Sequence, residues 1–256
     1  MNTYLKFIAD EKLLNALDIL YATYVKSFSD KTLDELNKNI MDPFKFQFDT
    51  IFLNERNPIN TLKNEIFRQS DKSISNAIGL FHQKILGSID GFVETPTLPC
   101  DVKKCDDTMF VEVKNKHNTM NVRSAAGVYE ELEGLAKSNP KAMCYLVEII
   151  SKKSSDEVWQ QTINEKKMEH PRIHKISADK FYELATGDKD AFKQLCEALP
   201  AATSDFLLKN GLMGNFGNTG RLGAYQTLME KADEDGTDIL REMFKISFTS
   251  YNGFHD

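Results

Sequence analysis

Cysteine is scarce in this chain. The 256 residues hold four, Cys100, Cys105, Cys144 and Cys196, and none has the paired spacing of a zinc site. They read as reduced, packed thiols. No stretch approaches the roughly 20 apolar residues that span a bilayer. The segment from Met1 to Asp10 lacks the charged start and apolar centre of a signal peptide, so a cytoplasmic protein is expected. Internal repeats and low-complexity tracts are missing, as is an obvious interdomain linker. The glycine-rich stretch Asn210–Gly223 does not match the phosphate-cradling Gly-x-x-x-x-Gly-Lys-Ser/Thr pattern, which argues against nucleotide hydrolysis. Positive charge is not in excess either. A formal charge of −6 argues against unselective coating of nucleic acid, although a local basic lining suffices for an enzyme that acts on it.

What is present is an ordinary globular composition, 41% hydrophobic and 27% charged, in a chain long enough to bury a substantial core. Its most informative stretch runs from Asp101 to Lys116. Met109, Val111 and Val113 alternate with Phe110, Glu112, Lys114 and Lys116, the period of a half-buried strand. The polar Cys105-Asp106-Asp107-Thr108 before it reads as a turn. A turn centred on Asp106-Asp107 sets Lys104 against Met109, Val102 against Val111 and Asp101 against Glu112. Residues directly opposite on antiparallel strands share a face, with Cβ atoms roughly 4.5–5.5 Å apart. Lys114 projects from that face too. Two facing carboxylates repel and call for a cation. A hard metal such as Mg²⁺ accepts carboxylate oxygens and water and assists hydrolysis of a phosphodiester. The competing account is an exposed hairpin whose charges only keep an edge strand soluble.

The rest reads as one α/β domain. Apolar residues from Tyr4 to Val25 recur at helical spacing, and a second amphipathic piece from near Asp30 is broken by Pro43. A long helix is expected over Ile59–Leu86, with Gly87, Gly91 and Pro96 marking the loop to the hairpin. A helix over Ser124–Lys137, a buried strand over Ala142–Ile150 and a strand over Arg172–Ile176 follow. Helices are then expected over Ala178–Thr186 and Asp188–Leu199, followed by a short helix, the glycine-rich loop, a helix pair and a strand at Phe244–Thr249. On the long helix, Glu65, Gln69, Lys72, Asn76 and Gln83 form a polar stripe, leaving Ile66, Phe67, Ile74, Ile78, Phe81 and Ile85 for the buried side. A solvated face explains that stripe as well as function does. Packed against the hairpin, Glu65 offers a further carboxylate for metal, and Gln69 and Lys72 reach phosphate. His82 reads as a packed histidine, since a metal-activated water needs no general base.

Two segments together, Glu65–Gly87 and Phe110–Asn121 (Phe-Val-Glu-Val-Lys-Asn-Lys-His-Asn-Thr-Met-Asn), resemble a family. The chain is similar to type II restriction endonucleases that cut GGNCC-type sites, within the PD-(D/E)XK nuclease superfamily. The likeness continues through Ile176–Gly187 and Ala191–Pro200, so it covers roughly residues 55 to 200. The resemblance implies a restriction-endonuclease-like mixed β-sheet core flanked by helices, with helical N- and C-terminal parts. Residues 1–256 then form one domain, with a helical part over about 1–56, a catalytic core over about 57–200 and C-terminal helices over about 201–256.

By position, Asp101 matches the first motif acid, Glu112 the second and Lys114 the lysine. Cys100 stands where the motif places proline, with Pro99 one step earlier; Asp106 and Asp107 are rival first acids, but both fall in the turn. The resemblance also implies Mg²⁺ held by Asp101, Glu112 and the Val113 carbonyl, a homodimer cutting both strands, and a DNA methyltransferase as genetic partner. The duplex DNA it cuts is read by residues after the catalytic strand: Lys116, His117, Asn118, Thr119, Asn121 and Arg123 include donor types suited to base edges. Asn118 and Asn121 serve equally as helix caps. Asn215, Asn218 and Arg221 of the glycine-rich loop are further candidates. Remaining alternatives are another nuclease of the superfamily, acting in repair or recombination, and a non-catalytic DNA-binding protein of the same fold.

Overall fold

The computed structural model describes residues 2–29, 42–54, 56–163, 166–212, 230–237, 241, 245 and 248–254. They form two compact units, residues 1–15 with 82–256, and residues 16–81.

The smaller unit is helical. Helix α1 (Asp10–Phe28) enters it, α2 is Pro43–Phe52 and α3 (Pro58–Ser88) leaves it. Pro43, expected to break a helical run, instead opens α2. Its missing N–H falls where helices have no internal partner, and the Asp42 carboxylate caps the turn by accepting from the Phe44 and Lys45 amides at 2.9 and 3.2 Å. No residue of α2 is buried. The rings of Phe48 and Phe52 stack on each other with centroids 5.7 Å apart. On α3 the buried side runs through Gln69, Ser70, Ile74, Ala77 and Phe81. Phe67, expected inside, is 63% exposed. The Ser70 hydroxyl donates to the Ser27 carbonyl at 2.7 Å, which turns this polar side of the helix inward.

The larger unit is built on a six-stranded mixed sheet in the order β1-β2-β3-β4-β6-β5. The strands are β1 (Phe92–Glu94), β2 (Val102–Lys104), β3 (Met109–Lys116), β4 (Met143–Ile150), β5 (Asp156–Ile163) and β6 (Lys166–Ser177). Strands β3, β4 and β6 are parallel, and antiparallel pairs complete the sheet on both sides. This is the expected restriction-endonuclease-like α/β architecture. The first strand lies against the end of α3, where a Cβ on Gly87 would come within 2.7 Å of the Glu94 side chain and 3.0 Å of its amide nitrogen. Only glycine permits that approach.

Helix α4 (Val122–Ser138) connects β3 to β4 and covers half of one sheet face. Its Tyr129, Leu132, Leu135 and Ala136 pack on Phe110, Cys144, Leu146, Trp159 and Ile173. Arg172 ties its C-terminus down by donating to the Ala136, Asn139 and Ala142 carbonyls at 2.6, 2.9 and 2.8 Å. On the opposite face, Phe92 and Tyr145 meet Phe181 of α5 (Ala178–Thr186) with centroids 6.0 and 5.8 Å apart. Among the described residues, no helix is long and apolar enough to cross a membrane.

Four expectations change here. Helix α1 begins at Asp10 because that carboxylate accepts from the Thr3 amide at 2.7 and 2.9 Å, holding residues 2–9 outside the helix. Strand β5 is not foreshadowed by apolar alternation, and β6 starts well before Arg172. Pro171 hid its first half, yet it lies where a bulge between Val158 and Gln160 interrupts the β5–β6 ladder. Helix α6 (Ala191–Lys209) runs through Pro200, because Ala202 and Phe206 beyond the proline are buried. Of the expected strand at Phe244–Thr249, Lys245 is helical and residues 248 and 249 lie in a turn; the rest of it is outside the described residues.

Candidate active site

The hairpin forms in the register the turn predicts. Val102 pairs with Val111 and Lys103 with Phe110. The turn closes through the Asp107 amide on the Lys104 carbonyl at 3.0 Å, with Asp107 in the left-handed region at φ 58°. Asp101 then leaves the ladder by one step. Its amide donates to the Val111 carbonyl at 2.9 Å, and its Oδ2 accepts the Val113 amide at 2.8 Å. The carboxylate thereby replaces a backbone acceptor and is fixed against β3.

Alternation along β3 puts Phe110, Glu112, Lys114 and Lys116 on the face that α4 half covers. Phe110 lies beneath α4, and the charged residues follow where that cover ends. The Lys114 ammonium donates to Glu112. The Glu112 side chain is only 13% exposed. Burial lifts its carboxyl first, the Asp101 charge lifts it further and Lys114 pulls it partly back, leaving it at about 7. Crowded, desolvated carboxylates of this kind favour a proton or a metal. Among the described residues there is no group of three or more metal-ligating side chains. Asp101 and Glu112 present carboxylate oxygens, the donor type that suits Mg²⁺, which keeps most of its water.

Two further charges share this face and were not singled out from the sequence. Lys114 pairs in register with Glu148 of β4, and Leu146 with Lys175 of β6. Glu148 is 1% exposed; its Oε1 lies 2.7 Å from the Lys175 ammonium, and its Oε2 accepts the Ser151 hydroxyl at 3.0 Å. The available signal was one acid inside the otherwise apolar Ala142–Ile150 run. A buried carboxylate without a partner is strongly disfavoured, and the partner comes from a strand nearly thirty residues away.

The expected DNA contacts divide. Lys116, Asn118, Thr119 and Arg123 are exposed near the end of β3 and the start of α4. His117 is held by its amide and Nδ1 against the Ile150 carbonyl, at 3.0 and 3.2 Å. Asn121 caps α4: its Oδ1 accepts from the Ser124 amide at 2.9 Å, which favours the capping account for this residue. Glu65, Gln69 and Lys72 all sit on α3 in the smaller unit. Arg68 binds Glu65 through two nitrogens, at 2.6 and 2.7 Å, and holds its carboxyl below the usual range. Gln69, expected to touch phosphate, is instead 3% exposed and donates to Glu65 at 3.1 Å. Lys72 is exposed. Burial pulls His82 down to about 4, which keeps its imidazole neutral. Asn215, Asn218 and Arg221 lie outside the described residues.

Known proteins share this sequence over most of its length. A model of the Eco47II restriction endonuclease family matches residues 5–208. The type II restriction enzyme Sau96I of Staphylococcus aureus is 34% identical over 261 aligned positions, covering 98% of this chain and 98% of that enzyme. The type II restriction enzyme Eco47II of Escherichia coli is 32% identical over 208, covering 77% of this chain and 86% of that enzyme.

Proposed function

The chain belongs to the Eco47II restriction endonuclease family, and on that premise we propose that it cuts both strands of a short palindromic GGNCC-type site by Mg²⁺-assisted attack of water on phosphorus. As a type II restriction endonuclease it cleaves DNA at specific sites. The observation that carries the chemical assignment is the convergence of Asp101, Glu112 and Lys114 on one face of the hairpin.

Asp101 and Glu112 would hold the cation, helped by the Val113 carbonyl. Bound Mg²⁺ supplies charge neutralisation for the phosphate and makes water more acidic. Lys114 exchanges Glu112 for the attacking water, orients it in line with the leaving 3′ oxygen, and offsets charge developing on the phosphate. The product ends carry 5′-phosphates. Lys116, His117, Asn118, Thr119 and Arg123 lie beside the cleavage centre and supply donors for bases and phosphates. The Asn121 amide nitrogen is a further donor, because capping uses only its oxygen. The enzyme works in the cytoplasm, where a methyltransferase of matching specificity protects the genome.

Cutting a palindrome on both strands calls for a symmetric pair of sites, hence a homodimer. What supports a second copy is α2, whose Phe44, Phe48 and Phe52 expose 70%, 52% and 74% of their surface. Apolar surface of this extent marks protein contact faces. Sequencing fragment ends after digestion of mapped plasmid DNA with Mg²⁺ tests the whole reading. Discrete fragments with 5′-phosphate ends at one palindrome are expected. Random nicking or structure-selective cutting points to a repair-type nuclease instead, and binding without cutting to a non-catalytic DNA-binding protein.

A further inference from the structure

Beyond the charged end of β3 the same region opens into a cleft of about 460 Å³, lined among others by His117, Asn118, Glu148, Lys152, Lys153 and Lys175. All of these residues belong to the larger unit. Three lysines against two carboxylates, Glu148 and Glu157, give the cleft a positive balance in a chain whose net charge is −6. Two of the cations are paired and the loop that carries the third is tied down. Lys175 is anchored on the buried Glu148 at 2.7 Å while 40% of its side chain stays exposed. Lys152 and Lys153 sit on a loop whose serines are tied down on both sides. The Ser151 amide donates to the Tyr251 hydroxyl at 3.1 Å, the Ser154 amide to Ser250 Oγ at 2.5 Å and the Ser155 amide to Ser177 Oγ at 3.0 Å. The Ser154 hydroxyl donates to Asp179 at 2.6 Å. Lys153 pairs with Glu157, whereas Lys152 is exposed and makes no ion pair among the described residues.

We propose that this cleft is a phosphate subsite for the DNA backbone, taking a phosphodiester that flanks the scissile one, with Lys152 and Lys175 as its cations. The inference rests on the nuclease reading of Asp101, Glu112 and Lys114. Lys175 lies two strands from Glu112, about 10 Å at the usual strand spacing. Phosphates on one DNA strand advance about 3.4 Å each along the axis, so a neighbouring phosphate of the same strand falls within that span. Fixing Lys175 and the loop that carries Lys152 before DNA arrives lowers the entropy lost on binding. Asn118 adds a neutral donor at the same wall. The buried Glu148 repels the strand little, because the Lys175 ammonium 2.7 Å from its Oε1 offsets its charge.

The test uses the full-length enzyme with Ca²⁺ in place of Mg²⁺ and a fluorescein-labelled duplex carrying the site mapped by plasmid digestion. One phosphate contact contributes a slope of about 0.9 in log affinity against log salt. Lys152→Ala should therefore flatten the slope by about 0.9 and weaken binding about eightfold at roughly 0.1 M salt. Lys141→Ala, an exposed control about 26 Å away at the other end of β4, should change neither. In a second arm, one phosphate at a time is replaced by an uncharged methylphosphonate. One flanking position should weaken binding of the wild type and leave Lys152→Ala unaffected, as coupled partners require. An unchanged slope in Lys152→Ala, or penalties that simply add at every position, overturns the subsite. A wild type that cuts no duplex overturns the nuclease reading itself, which separates the two failures. Lys152 is exposed, and a melting curve matching wild type confirms that its variant is folded.

Discussion

Lys114 stands directly across the parallel β3–β4 ladder from the buried Glu148. The lysine is thus flanked by two carboxylates, Glu112 on its own strand and Glu148 on the next. The first is the acid assigned to the cation, and the second is already neutralised by Lys175. With the Glu148 charge matched by Lys175, a cation that draws Glu112 away would leave Lys114 free for the attacking water.

Removing Asp101 or Lys114 should cripple cutting but not binding. Asp101→Ala and Lys114→Ala are each expected to lower single-turnover cleavage by at least roughly 10²–10³-fold, the range for losing one electrostatic stabiliser. Binding of the duplex in Ca²⁺ should change far less. Mg²⁺-dependent cutting at wild-type rates in both variants would show that the chemistry lies elsewhere.

The raised Glu112 carboxyl makes metal binding pH-dependent. Its folded value near 7 lies above the ordinary 4.5, so the folded metal-free protein holds this proton more tightly than the unfolded chain. The stability it contributes is present below about 4.5 and lost as pH rises through 7. The loss is on the order of 3 kcal/mol. Metal needs the ionised form, so thermal stabilisation by Mg²⁺ should be larger at pH 8 than at pH 6. Glu112→Gln should raise the melting temperature of the metal-free enzyme at pH 8 and leave it nearly unchanged at pH 4. Equal Mg²⁺ effects at both pH values would contradict the shared carboxylate site.

The Glu148–Lys175 pair should behave as a unit. Lys175→Ala leaves a buried carboxylate alone and is expected to destabilise the fold by about 3 kcal/mol. Glu148→Gln in the same chain should recover much of that loss, because no buried charge remains. Urea denaturation of the two single variants and the double variant measures the coupling. Strictly additive losses would mean that the 2.7 Å contact contributes nothing.

If α2 forms the subunit contact, Phe48→Asp and Phe52→Asp should yield monomers under conditions where the wild type is a dimer. Neither side chain is buried in the chain, so folding should survive. Sedimentation equilibrium reads the mass directly. Variants that stay dimeric would place the contact on another surface.

Much of the site was legible locally. Alternation from Met109 to Lys116 and a four-residue turn were enough to set Val102 against Val111 and to bring Asp101 beside Glu112, because hairpin register depends on neighbouring residues. The long helix, α4 and β4 were legible for the same reason: their apolar spacing is dense and their ends carry stop signals. Where polar residues dominate, the pattern failed. Asp156–Ile163 has few apolar residues, and Pro171 and Pro200 look like breaks until a bulge and a buried C-terminal half absorb them.

Composition and short-range pattern therefore settled the hairpin register that puts Asp101, Glu112 and Lys114 on one face, and the α/β class, since each depends on residues a few positions apart. Tertiary structure decided which faces meet. It put Gln69 inside and left Phe67 out, because α3 is oriented by the Ser70–Ser27 contact. It also brought Glu148 and Lys175 to the face of Glu112 and Lys114, because the β3–β4 register depends on how α4 packs and β6 reaches β4 only through β5. No local spacing encodes that alignment.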